Sequence, residues 1–150
     1  MKIIFVCTGN TCRSPMAEVI ANAVFKNGGI DAKAESKGIF AENGAPASDY
    51  AKLAVRNYGL SLEEHIAKQI TPEDIADADL ILTMTAEHKK MLEKICPAEK
   101  LFTLKEYCTG ESGSIADPFG QSTAVYMECA EEIIDCVNKL AEKIKEKPAE

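Results

Sequence analysis

The stretch VCTGNTCRSP, residues 6–15, puts Cys7, Cys12 and Arg13 around a Gly-Asn pair and just ahead of Ser14-Pro15. Three chemistries use such a set: a metal site, a redox pair and an anion cradle. Zinc-binding cysteines stand closer in sequence and come with a second pair. No second pair is apparent, and Arg13 is a poor neighbour for a cation. The anion cradle uses more of the residues. Gly9 and Asn10 tolerate unusual backbone angles, so a tight turn through Thr8, Gly9, Asn10, Thr11 and Cys12 can aim successive N–H groups inward. A helix starting near Arg13 adds its unpaired N–H groups and the positive end of its dipole. Arg13 brings a planar fork of donors that matches two phosphate oxygens. The ligand such a site suits is a dianion such as a phosphate monoester.

Cys7 stands at the base of that cradle. Such a field favours a thiolate, and a thiolate beneath a phosphoryl group is placed for in-line attack. Ser14 is near enough in sequence to hydrogen-bond the sulfur. Expelling a leaving group then needs an acid, and releasing the phosphoryl group from sulfur needs a base. Asp117, in ADPFG, is the candidate for both. Pro118 stiffens its loop, and Phe119 offers an apolar wall to a substrate side chain.

The elements that must position these residues are legible in outline. KIIFV is a short buried strand, and residues 14–27 follow with a helical apolar face that Gly28-Gly29 ends. Residues 30–36 alternate as a second strand, 37–45 read as loop, and 46–58 as a helix. Thr71-Pro72-Glu73-Asp74 is a capped helix start. ADLILTM (78–84) is a buried strand, with a helix from Thr85 to about residue 95. KLFTL (100–104) is a fourth strand, 105–121 reads as irregular, and 122–145 as a long helix with a frayed tail from residue 145 on. Strands alternating with helices imply an α/β fold, a parallel sheet with helices on both faces. Ligands of such folds sit at the carboxyl ends of the strands, where the loop after the first strand and the segment after the fourth can meet.

Composition narrows the function classes. The chain has 150 residues, a net charge of −7 and 46% hydrophobic residues, so one domain with a real core is expected. An acidic chain without a basic face argues against nucleic acid as a partner. No apolar segment reaches the length of a membrane span, and no secretory signal is seen, so a cytoplasmic address is expected. In that reducing compartment the six cysteines are expected to be free, catalytic or metal-bound rather than a disulfide framework. Cys129 and Cys136 fall on a helical apolar stripe and read as core. Cys96 and Cys108 read as inert. His65 and His88 have no metal-ligand spacing and read as structural or surface residues.

VCTGNTCRSPMAE together with the later DPFG resembles the low-molecular-weight protein tyrosine phosphatases, over essentially the whole chain from Lys2 to the last helix. The resemblance implies a single three-layer α/β domain over residues 1–150, with a four-stranded parallel sheet and a phosphate-binding loop at 7–14 after the first strand. It implies no metal and no other cofactor, phosphorylated proteins as substrates, and a monomer. It makes Cys7 the nucleophile, Arg13 the phosphate clamp and Asp117 the acid/base, with Asn10, Ser14 and Ser36 in the hydrogen-bond network that shapes the loop. Lys37 and Lys68 depart from the small residue and the arginine that are usual at their positions.

Two details narrow the resemblance. Tyrosine-directed members typically carry a bulky aliphatic residue where Thr11 stands, and a pair of aromatics after Asp-Pro. Thr11 and Asp117-Pro118-Phe119-Gly120 look instead like the bacterial branch that removes phosphate from arginine in proteins. A guanidinium is polar where a phenyl ring is not, so Thr11 can contact it and Gly120 leaves space where a second ring would stack. A tyrosine phosphatase is the alternative. An arsenate reductase needs two further cysteines close together on a mobile segment, which Cys96 and Cys108 are not expected to be. A non-catalytic phosphate-binding redox sensor should lack the nucleophile or the acid. Redox control is compatible with catalysis: Cys7 and Cys12 share a loop, so oxidised Cys7 can be trapped as a reversible disulfide.

Overall fold

A computed structural model describes residues 1–146. Strand β1, Lys2–Cys7, is buried from its second residue onward. Its side chains alternate with the two-residue period of a strand: Ile3, Phe5 and Cys7 enter one core, Ile4 and Val6 the other. The chain continues through α1 (Arg13–Asn27), β2 (Lys33–Gly38), α2 (Asp49–Arg56), α3 (Pro72–Asp77), β3 (Leu80–Thr83), α4 (Ala86–Leu92), β4 (Leu101–Thr103), α5 (Leu104–Thr109) and α6 (Thr123–Glu146). The four strands are all parallel, in the order β2-β1-β3-β4. One sheet face carries α1 and α6, whose Met16, Ile20, Phe25, Ile133, Val137 and Leu140 form the larger core. The other is covered by α3 and α4 through Ile75 and Leu92. No helix among the described residues is long and apolar enough to cross a membrane.

Several boundaries differ from the expected ones, each for a local reason. β2 starts at Lys33 rather than residue 30, because pairing of Lys2 with Lys33 sets its register, while Ile30 closes α1 by donating to the Phe25 carbonyl. α2 starts at Asp49 rather than Pro46: Ser48 caps it, and Pro46 instead bridges to Ile66. Residues 105–109, expected to be irregular, and Leu104, expected to end the fourth strand, are helical. Thr103 and Glu106 form a reciprocal capping box there, a motif that satisfies two orphan N–H groups at once. α4 is shorter than expected, ending at Leu92. Lys145 and Glu146, expected to fray, belong to α6; the rest of that tail lies outside the described residues.

The strand order creates the site. From β1 the chain crosses to β2 on one side, and later to β3 on the other. The helices flanking β1 therefore diverge at its carboxyl end, leaving the crevice at which doubly wound sheets bind ligands. Residues 8–12 lie directly over it.

Candidate active site

The loop between β1 and α1 is held in shape by Asn10. Its backbone has φ 57°, the one positive value at a non-glycine position among the described residues. Asparagine tolerates that left-handed region because its short amide can bond nearby, and here the bonds are complete. Nδ2 donates to Ser14 Oγ at 2.9 Å, and Oδ1 accepts from the Lys68 N–H at 2.9 Å. The Asn10 carbonyl accepts from His65 Nε2 at 2.7 Å. Gly9, expected to share the unusual geometry, does not take a positive φ; a Cβ there would meet only Thr11 Oγ1, at an ordinary 3.7 Å. The conformational demand falls on Asn10 alone.

The helix that follows is left open at its start. Ser48, Thr71, Thr85 and Thr103 cap α2 to α5 through their side chains. Cys12, the residue before α1, makes no such bond, and the first turn of α1 contains no acidic residue. Its N–H groups and the positive dipole end thus stay free of side-chain competitors beside the loop.

A crevice of about 270 Å³ opens there, lined by Cys7, Thr8, Gly9, Thr11, Cys12, Arg13, Asp117 and Phe119. A roomier hollow of about 330 Å³ runs along β2 past Glu18, Ser36 and Lys68, but contains neither Cys7 nor Arg13. Eight of the ten residues selected from the sequence therefore share one crevice. Asn10 and Ser14 do not line it; they belong to the hydrogen-bond network behind the loop. Both are fully buried and support the loop from behind.

Cys7 is buried, with Sγ 2.8 Å from Ser14 Oγ. Arg13, 4% exposed, is fixed by donation from Nη1 to the Ile115 carbonyl at 2.9 Å. Its Nη2 approaches Asp117 Oδ2 at 3.6 Å. Ile115 is itself tied to the sheet, its N–H donating to the Met84 carbonyl. That bond seats the segment after α5 over the carboxyl end of β1 and brings Asp117 to the crevice. Asp117 is half exposed, and its Oδ1 accepts from the Phe119 N–H at 3.0 Å. Phe119 projects into solvent at the rim, 79% exposed.

The arrangement has one buried sulfur, one buried guanidinium with further donors to offer, and one accessible carboxyl group. It can hold an oxyanion in the loop, attack it from sulfur and exchange a proton with a leaving group. Burial drives the Cys12 thiol strongly toward the protonated form, with the neighbouring Cys129 and Cys7 adding to the shift and Tyr126 opposing it. Burial pushes the Cys108 and Cys129 thiols up to about 12, so both stay protonated.

Two side chains that touch the loop, His65 and His88, carry no local sequence signal of that contact. His65 reaches the Asn10 carbonyl across 55 positions, and His88 Nε2 lies 2.8 Å from Thr8 Oγ1 across 80. No spacing rule reaches that far. Ser36 is also corrected: its hydroxyl donates to Glu18 Oε1 at 2.6 Å rather than joining the loop network. The Lys37 carbonyl is the group from β2 that approaches Ser14 Oγ, at 3.5 Å. The departure at Lys68 is harmless to the loop, because Lys68 acts through its backbone N–H.

A family model described as low molecular weight phosphotyrosine protein phosphatase matches residues 2–150. A protein-arginine-phosphatase of Bacillus subtilis (strain 168) is 39% identical over 147 residues, covering 97% of each chain. The Staphylococcus aureus low molecular weight protein-tyrosine-phosphatase PtpB is 41% identical over 145 residues, covering 96% of this chain and 99% of its own. A solved structure of the YwlE arginine phosphatase, a mutant with a phosphorylated active-site serine, superposes with a TM-score of 0.93. It is 37% identical, with 98% of this chain and 97% of that one covered.

Proposed function

From the premise that the chain belongs to the low-molecular-weight phosphotyrosine protein phosphatase family, we propose that it removes phosphate from phosphoarginine in proteins, in the cytoplasm. Cys7 Sγ attacks phosphorus, Arg13 turns its free donors to the equatorial oxygens, and Asp117 protonates the departing guanidinium nitrogen as the P–N bond breaks. A water molecule, deprotonated by Asp117, then displaces Cys7 from the phosphocysteine and releases inorganic phosphate. Each step is a general acid–base or covalent step available to the groups in the crevice. The phosphorylated serine of the YwlE mutant supports a covalent phosphoryl intermediate in the family.

Identity does not separate arginine from tyrosine, since relatives of both names stand near 40%. The observation that carries the arginine reading is Thr11 on the crevice wall. A threonine hydroxyl can bond a polar guanidinium, where an aliphatic side chain would strip its water without replacing it. Gly120, at φ 76°, leaves the rim beyond Phe119 open. The tyrosine reading is favoured by Phe119 alone, whose exposed ring could stack on a phenyl group.

The test is turnover of phosphoarginine protein against phosphotyrosine peptide, with Cys7→Ser as blank. Faster turnover of phosphoarginine is expected, and Thr11→Ile is expected to move the ratio toward phosphotyrosine by about tenfold, the effect of one lost polar contact. Equal or faster phosphotyrosine turnover by the parent protein would overturn the arginine assignment.

Oxidation of the same loop is part of the proposal. Peroxide takes Cys7 thiolate to a sulfenic acid with release of hydroxide. The Cys12 thiol then displaces water from that sulfur to give a disulfide, which added thiol reduces.

A further inference from the structure

The contact between Thr8 and His88 is not used by the chemistry above. Thr8 lines the crevice with Cys7, Arg13 and Asp117, and its Oγ1 meets His88 Nε2 at 2.8 Å. His88 lies in the first turn of α4 and is 6% exposed. Its other ring nitrogen, Nδ1, is buried and has no hydrogen-bond partner among the described residues.

That asymmetry locates the ring proton. Burial first, then the Arg13 guanidinium, hold the imidazole down to about 4, against the opposing pull of Glu87 and Asp117. The ring is therefore neutral near pH 7 and carries one N–H. On Nδ1 that hydrogen would be a buried donor without an acceptor, a rarer arrangement than the bare buried nitrogen left there when the hydrogen is on Nε2. On Nε2 it donates to Thr8 Oγ1. A hydroxyl oxygen that accepts one bond keeps its own hydrogen to donate elsewhere, and the exposed face of Thr8 is the crevice.

We propose that His88 is a positioning residue: its Nε2–H holds Thr8 Oγ1 so that the Thr8 O–H donates to a phosphoryl oxygen in the crevice. This rests on the crevice being a phosphoryl site and is independent of which amino acid bears the phosphate. It gives Thr8 and Thr11 separate tasks, one on the phosphoryl group and one on the side chain that carries it.

The probe is inorganic phosphate, with affinity measured by titration and by competitive inhibition of the intact enzyme. Thr8→Val, a change of equal shape at an exposed position, is expected to weaken phosphate binding about tenfold. His88→Phe is expected to do the same, His88→Gln to recover part of the loss, and the double variant to be no worse than either single one. In 15N-histidine spectra the His88 Nε2 should carry the proton and Nδ1 should not. Full phosphate affinity in Thr8→Val, additive losses in the double variant, or a proton on Nδ1 would each overturn the proposal. If the parent protein itself fails to bind phosphate, the reading of the crevice falls as well; if the parent binds and Thr8→Val binds equally, only the role of His88 falls. Thr8→Val keeps the test decisive should His88→Phe not fold.

Discussion

Replacing Asn10 tests whether the loop is held from behind. Asn10→Ala removes two hydrogen bonds, Nδ2 to Ser14 Oγ and the Lys68 N–H to Oδ1, each about 1 kcal/mol net. It leaves the Lys68 N–H without its acceptor, about 1 kcal/mol more. It also places a Cβ without a polar side chain at φ 57°, which costs about 1 kcal/mol further. The expected loss of stability is about 4 kcal/mol, or about 8–16 °C in Tm at this chain length. Asn10→Gly loses the same bonds but not the backbone strain, so it should be about 1 kcal/mol more stable than Asn10→Ala. Urea unfolding of the three proteins, with slopes compared, measures both differences. Turnover should fall at least about tenfold in both variants, because Ser14 loses the bond that holds its hydroxyl against Cys7. Equal stability of the alanine and glycine variants would refute the strain at position 10. A loss below about 1 kcal/mol in either would refute the claim that this side chain holds the loop.

Three further outcomes follow from the same geometry. At Gly38 an added Cβ would lie 2.7 Å from the Thr8 carbonyl oxygen and 2.9 Å from Ala41 Cβ; Gly38→Ala should cost about 1–3 kcal/mol and lower kcat/KM, and an unaltered variant would show that the loop yields. Burial holds the His88 imidazole down to about 4, below its ordinary value of about 6.5, so between those values the unfolded chain holds a proton that the folded one lacks. The parent should therefore lose stability relative to His88→Phe as pH falls from about 6.5 toward 4, by up to about 3 kcal/mol; urea curves measured across that window test this, and an equal pH dependence of the two proteins would contradict the buried neutral ring. Peroxide-treated parent protein should regain activity with added thiol while Cys12→Ser should not; because burial keeps the Cys12 thiol protonated, disulfide closure should be slow and should quicken with rising pH. Equal recovery of the two proteins would remove Cys12 from the redox scheme.

What the amino-acid order determined alone is what depends on neighbours a few residues apart. The apolar run of β1, the apolar stripe of α6 and the Thr71 cap of α3 are patterns of period two, period 3.6 and a three-residue reach. The residue types of 7–14, with Asp117 as their companion, were legible in the same way as candidates for an anion site, and the fold gathers most of them about one crevice. The Thr103–Glu106 box is legible by the same rules but straddles the end of the expected fourth strand and the irregular stretch after it. The tertiary structure decided what no local pattern holds. Parallel pairing with β1 moved the start of β2. The packing of α4 brought His88 to Thr8, and the loop after α2 brought His65 and Lys68 to Asn10. The Ile115 carbonyl reached Arg13 across 102 positions. These contacts are set by which strands lie side by side and where each crossover returns, so their partners are chosen by the sheet order rather than by spacing along the chain. The residues fit for the chemistry were readable from the chain; the groups that hold them still became visible only once it was folded.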